Sequence, residues 1–258
     1  MKYPSLLLLL SLFFSSLSAQ STPAEQTVPL DGIEHISIYA PFSSVLLQPE
    51  STASMAVQHI VKIDGKDAPE LRELSIQRKG NTLHIEELSP NIKALKKRFP
   101  AGFDRNGGTN RYGANRDCDE AQTKVDARLS LKIPAGVTID VETEYGSIVA
   151  EDVPGLRKAY AHYGSVEVSF ASTAQVPTMN LHSHYGAVDV TLPSAQNASL
   201  DLTTEYGELF TDFDISIDKD ASEEEDFLQK VVGQLGRGGA EISCRAPYGN
   251  VYLRQGSK

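Results

Sequence analysis

Six titratable side chains, Glu142, Glu144, His162, His182, His184 and Glu205, recur at matching offsets from a tyrosine–glycine pair. One residue before each tyrosine stand Glu144, His162, His184, Glu205 and Pro247. Three before stand Glu142, Tyr160, His182, Thr203 and Arg245. In an extended chain, positions two apart point the same way, so His182 and His184 share a face. If the segments stack, His162 and Glu205 come alongside them. Imidazoles at this spacing could hold zinc or copper, which makes His162, His182 and His184 the candidate metal ligands. Glu142, Glu144 and Glu205 are the carboxylates that a polysaccharide-cleaving enzyme would use as acid and base, although basic residues beside them are few. The competing explanation is a solvent-facing polar ladder in which histidine next to glutamate relieves like-charge stacking.

Other chemistry finds little support. The chain has no nucleophile elbow, zincin helix, phosphate-cradling glycine loop or paired-cysteine metal spacing. The glycine-rich GQLGRGG lacks the strand-to-helix context of a phosphate loop. The acidic run DKDASEEED offers oxygen ligands but lacks the glycine and terminal glutamate of an EF-hand loop. No catalytic residue and no cofactor are expected.

The elements that must position the six side chains come from a repeat. The pairs are Tyr145-Gly146, Tyr163-Gly164, Tyr185-Gly186, Tyr206-Gly207 and Tyr248-Gly249, at intervals of 18, 22, 21 and 42 residues. Aligned on tyrosine, apolar residues occupy six and four before it (Ile139 and Val141, Met179 and Leu181, Leu200 and Leu202, Ile242 and Cys244). Three after it stand Ile148, Val166, Val188, Leu209 and Val251. These are period-two columns, the pattern of strands with one buried face. Parity changes between the two halves, so one residue must turn the corner. Glycine is expected there for its access to positive φ, with each tyrosine stacking on its equivalents roughly 4.8 Å away. The ten residues are therefore structural, the corners of a coiled β-stack whose rungs bury their apolar faces only by stacking. Arg157 and Ala159 fit their columns poorly, so the second rung should be shifted in register.

Around the stack, residues 20–97 read as N-terminal strands, with a hairpin turning at Gly80-Asn81. Residues 98–120 read as a Gly- and Asn-rich loop. Rungs fill 126–258, interrupted by an acidic insertion at 212–240; its GRGG turn suggests a hairpin back to the last rung. Residues 1–19 read as a signal peptide, one lysine then an apolar run then small residues, so 20–258 form a single exported domain. No later stretch is apolar enough to span a bilayer. The expected location is the periplasm, the cell surface or the medium. A net charge of −10 disfavours nucleic acid as a partner, leaving a protein or glycan ligand for a noncatalytic binding protein; the alternatives are a carbohydrate-active β-helix enzyme such as a polysaccharide lyase, or a structural envelope accessory protein. Two cysteines, Cys118 and Cys244, enter an oxidising compartment and could pair; alternatively Cys244 is a small buried apolar residue and Cys118 a loop residue.

TEYGSIVAEDVPG, AHYGSVEV, HSHYGAVDV, TEYGELF and GGAEISCRAPYGNVYL together resemble a bacterial family of adhesin-like domains of unknown function. That family is common in Bacteroidetes-type exported proteins and related to head domains of autotransporter adhesins. The resemblance covers the C-terminal half well and Gly32 to Ile85 more loosely. It implies an all-β fold, a right-handed parallel β-helix-like solenoid with rungs of about 20 residues and N-terminal strands stacked on or capping it. It implies no enzymatic activity, cofactor or catalytic residue. The acidic insertion and the long glycine-rich loop depart from the family pattern.

Overall fold

Period-two alternation decides the secondary structure: burial alternates along almost every strand, as in Thr138–Thr143 and Val188–Leu192. The computed structural model describes residues 25–88, 103–105, 123–171 and 174–256. Within them the chain is all-β, with one short 3-10 turn at Pro69–Leu71. Residues 1–24, which include the expected signal peptide, lie outside the described residues, as do most of 98–120 and Cys118.

Two 11-stranded sheets form among the described residues, each mixed and neither closed into a barrel. At the centre of each, seven strands run parallel. One sheet carries Thr123–Pro134, Ser44–Glu50, Ile148–Glu151, Val166–Ser169, Val188–Leu192, Val251–Gln255 and Leu209–Thr211 in that spatial order. The other carries Thr82–Glu87, His35–Ala40, Thr138–Thr143, Leu156–Ala161, Met179–Ser183, Ala240–Ala246 and Ala198–Thr204. Each Tyr-Gly corner joins a strand of the second sheet to one of the first, making a layer. Antiparallel strands flank the parallel run at both ends of the second sheet and, in the first, beyond Thr123–Pro134 only. The inward columns form one continuous core of fully buried aliphatic side chains, each worth ~1.5–3 kcal/mol of transfer energy.

Three expectations are corrected. First, the layers do not follow chain order. The C-terminal layer with Tyr248 slides between the Tyr185 and Tyr206 layers, so Ala240–Ala246 pairs with Met179–Ser183 on one side and Ala198–Thr204 on the other. The doubled interval is thus an excursion and a return. Second, the GRGG turn closes no hairpin: Leu228–Leu235 and Ala240–Ala246 lie on opposite sides of Ala198–Thr204. The turn steps over that strand, using positive φ at Gly236 and Gly238.

Third, the corner glycines do not adopt positive φ. They are required for close approach. A Cβ on Gly146 would meet the Ser43 carbonyl, one on Gly164 that of Gly146, and one on Gly186 that of Gly164. Likewise Gly249 sits on Gly186 and Gly207 on Gly249, every approach well inside 3.0 Å. Buried hydroxyls two residues before the tyrosines knit the corners: Ser183 Oγ donates to the Gly164 carbonyl at 2.7 Å and accepts from the Gly186 amide at 2.9 Å.

The expected shift in the second rung is present. Register slips between Ile139 and Asp140, so Leu156 fills the core position while Arg157 turns out to pair with Asp140 at 2.9 Å. The hairpin at Gly80-Asn81 forms as expected. An unforeseen layer also exists: His35–Ala40 and Ser44–Glu50 place Phe42 and Ser43 where later layers have Tyr and Gly. Ser43 rests on Glu87, whose carboxylate accepts from the Ser43 hydroxyl (2.6 Å), the amides of Ser43 (2.8 Å) and Phe42 (2.9 Å), and His59 Nε2 (3.2 Å). Burial pushes the Glu87 carboxyl up, but the bonds from His59, Ser43 and the two amides outweigh it, and its pKa lies below the ordinary value.

Three outcomes follow from these contacts. Gly186→Val should lower stability by about 2 kcal/mol or more, read as a drop in thermal midpoint, because the overlap is with backbone that cannot rotate away. Glu87 has a depressed folded pKa, so its contribution is present above about pH 4.3 and lost as pH falls through the folded value. The wild-type midpoint should therefore fall below that pH, whereas Glu87→Gln should be ~1–3 kcal/mol less stable at neutral pH and lack that part of the acid dependence. Cys244 is a fully buried free thiol, pushed up to about 12 by desolvation. It should resist maleimide in the native state and react in denaturant, and rapid native labelling would contradict its core position.

Candidate functional site

Stacking the corners fixes what lies outside them. Tyr145, Tyr163, Tyr185, Tyr248 and Tyr206 form one ladder, with ring centroids 5.3, 5.2, 5.2 and 5.1 Å apart in that order. Phe42 extends it at one end at 6.2 Å, and Phe227 of the acidic insertion tilts over the other at 5.5 Å. Each tyrosine remains about half exposed. Because both faces of an interior ring are covered by its neighbours, the ladder offers edges and hydroxyls outward. A sugar needs a free aromatic face to stack on, so the interior of this ladder is not a sugar platform.

Beside the ladder runs the outward face of the second sheet. The three histidines are brought together there, with a different geometry from a metal site. His162 and His184 stack face to face in parallel planes, 5.1 Å between ring centroids. His182 is tilted and 6.3 Å from His184. Tyr160 bonds His162 Nδ1 through its hydroxyl at 3.1 Å and packs edge-on against His182 at 4.9 Å. No group of three metal-binding side chains is gathered among the described residues. Burial, then the nearby Arg245 guanidinium, pushes the pKa of His182 down, which favours its neutral form at pH 7.

The carboxylates separate. Glu142 lies in the strand Thr138–Thr143 and Glu144 follows it, whereas Glu205 follows Ala198–Thr204, four strands away and therefore ~19 Å distant. Glu205 does not come alongside the histidines as expected, because the Tyr248 layer intervenes; it pairs with Arg245 at 2.7 Å. Glu142 and Glu144 surround Tyr39 and Tyr160, whose phenols are pushed up first by burial and then by these carboxylates. Among the described residues no cation pairs with either glutamate.

Register orders this face into a straight row. Glu86 lies beside Tyr39, Tyr39 beside Glu142, and Glu142 beside Tyr160. The row continues through His182, Arg245 and Thr203 to Lys230. Glutamates with no cation partner among the described residues stand towards one end, whereas at the other Arg245 pairs with Glu205 and Lys230 lies beside Glu223. Sequence alone missed Tyr39, Glu86 and Lys230, although the APFSS corner carries the same even-before, odd-after columns (Ile36, Ile38, Ala40, then Val45 and Leu47) and could have extended the alignment to Tyr39.

The buried Ser43, His59 and Glu87 have the residue types of a hydrolytic relay but not its arrangement. The serine hydroxyl donates to the glutamate, and all three side chains are almost wholly buried. They anchor the first corner.

No family model and no curated protein matches the chain. Among solved structures, a "putative cell adhesion protein" from Clostridium sporogenes ATCC 15579 matches with a TM-score of 0.55 at 14% identity, over 91% of this chain and 100% of that one. A "putative adhesin" from Bacteroides fragilis NCTC 9343 covers 90% of this chain and 95% of its own at 8% identity, but its TM-score of 0.28 carries no argument. No helix among the described residues is long and apolar enough to cross a membrane. The described residues thus have an all-β fold similar to that of the Clostridium protein, the match extending over 91% of this chain.

Proposed function

We propose that this is a noncatalytic, exported adhesin-like protein, a right-handed β-solenoid whose outward sheet face binds a cell-envelope or extracellular ligand. The observation that carries it is the separation of roles along each strand: inward side chains make one continuous core, while outward ones form straight rows that are half-buried or exposed. Such a surface can change without disturbing the fold. The apolar leader at residues 1–19 supports export. The covered faces of the tyrosine ladder favour a protein ligand over a glycan held by stacking. A polysaccharide lyase is the second reading, but Glu142 and Glu144 lie ~19 Å from Glu205, too far to act on one glycosidic bond.

Replacing His162, His182 and His184 together by serine touches no core column. Glycans and envelope extracts screened against the purified mature protein should yield a ligand that this variant binds at least tenfold more weakly, about 1.4 kcal/mol. Undiminished binding would move the site off this face. Polysaccharide turnover that disappears when Glu142, Glu144 and Glu205 are replaced by glutamine would establish the enzyme reading instead.

A further inference from the structure

Among the described residues the most exposed large apolar side chain is Phe227, 71% accessible, at the far end of the tyrosine ladder. It stands in a two-residue turn. Glu225 pairs with Leu228, leaving Asp226 and Phe227 to join the strands Glu223–Glu225 and Leu228–Leu235. Phe227 has a φ of +68°, whereas Asp226 stays out of the left-handed region. A turn with positive φ at its second central position takes glycine or asparagine, because a larger side chain crowds the carbonyl there. Burial does not compensate a phenylalanine this exposed. Its ring tilts by 37° over Tyr206, itself 61% accessible, and the opposite ring face is open to solvent. Charge is concentrated at the same end of the molecule. Residues 205–226 carry ten carboxylates and one lysine, in a chain whose net charge is −10. Glu223 lies beside Lys230, but Glu224, Glu225 and Asp226 are exposed, and no cation pairs with them among the described residues.

We propose that the aromatic ledge of Tyr206 and Phe227 is a docking site for an arginine-rich segment of a protein partner, separate from the outward sheet face and independent of its function. Charge and ring together select the occupant. A guanidinium is planar, so it lies on an open aromatic face while its N–H groups donate to carboxylates beside the ring. An ammonium is a compact point charge that reaches the carboxylates but stacks less well. A purely apolar partner would cover Glu224, Glu225 and Asp226 without giving them counter-charges, which costs more than burying one ring returns. Nucleic acid and anionic lipid are repelled by the same carboxylates. The ledge is one hairpin tip, far smaller than a standard stable interface, so the contact should be reversible and salt should weaken it. The unfavourable φ of Phe227 fits this role: the turn would keep its shape more easily with another residue, and what phenylalanine adds is a presented ring.

Labelled oligoarginine and oligolysine peptides of equal length, titrated with the full mature chain at ~0.15 M ionic strength and followed by fluorescence anisotropy, test this. Oligoarginine should bind more tightly than oligolysine, although both carry the same charge. Phe227→Asn should remove most of that difference, weakening the arginine peptide about threefold, the size of an exposed cation–π contact. Phe227→Tyr keeps the ring and should bind as the wild type does. Asparagine accepts positive φ, so the thermal midpoint of Phe227→Asn should be unchanged or higher. Replacing Glu224 and Glu225 by glutamine and Asp226 by asparagine should weaken both peptides. The triple histidine variant should bind both as the wild type does, so failure at the ledge leaves the outward face untouched. Equal affinity for the two peptides, or affinity indifferent to Phe227→Asn, would reduce the ledge to unspecific counter-ion attraction and overturn the proposal. A midpoint that falls by several degrees in Phe227→Asn would make Phe227 a structural cap on Tyr206, and would likewise overturn it.

Discussion

The approach of one corner backbone to the next sets the dimensions of this molecule. At Gly146, Gly164, Gly186, Gly249 and Gly207 the neighbouring carbonyl occupies the space where a side chain would begin. That contact holds successive corners at the spacing of hydrogen-bonded strands. The tyrosine beside each glycine is then carried into stacking distance of its neighbours, and the inward columns fall into register across the core. Remove the close approach and the two sheets lose the hinge that keeps their layers level.

Closing a corner that tightly leaves polar backbone groups out of reach of water, and the stack satisfies them with buried hydroxyls. Thr143, Ser183 and Thr204 are fully buried and each donates to a corner carbonyl. At the N-terminal end no further Tyr-Gly layer supplies a partner among the described residues. Glu87 takes over, accepting two amides, a hydroxyl and an imidazole at once. A carboxylate has enough acceptor capacity to end a series that each hydroxyl only passes along.

Much of this was visible in the sequence, because period-two alternation and a recurring corner are local signals. The inward columns, the hairpin at Gly80-Asn81 and the slipped register beside Arg157 all follow from neighbours within about twenty residues. The position of the Tyr248 layer does not. Spacing along a chain carries no information about which layer a returning strand enters, and both candidate neighbours present the same apolar columns. The reason for the corner glycines was also hidden, since positive φ and close approach select the same residue. Glu87 gave no warning either: a glutamate ending a strand looks solvated until the strand beside it is known. The six outward residues were correctly placed on one face, but which of them touch depended on layer order, so Glu205 moved from the histidines to Arg245.

The interposed C-terminal layer also imposes a timetable. Ala198–Thr204 and Leu209–Thr211 take their final neighbours from residues 240–255, which are synthesised some forty residues after them. Until those residues arrive, the layer at Met179–Ser183 presents an open strand edge whose natural occupant has not yet been made, while an earlier strand of similar pattern waits nearby. Sealing of this part of the core is therefore a non-local event governed by residues 240–255, and a slow one by the usual relation between sequence separation and folding rate. A chain that stops short of residue 240 keeps most of its sequence and yet lacks the layer that joins the acidic insertion to the rest.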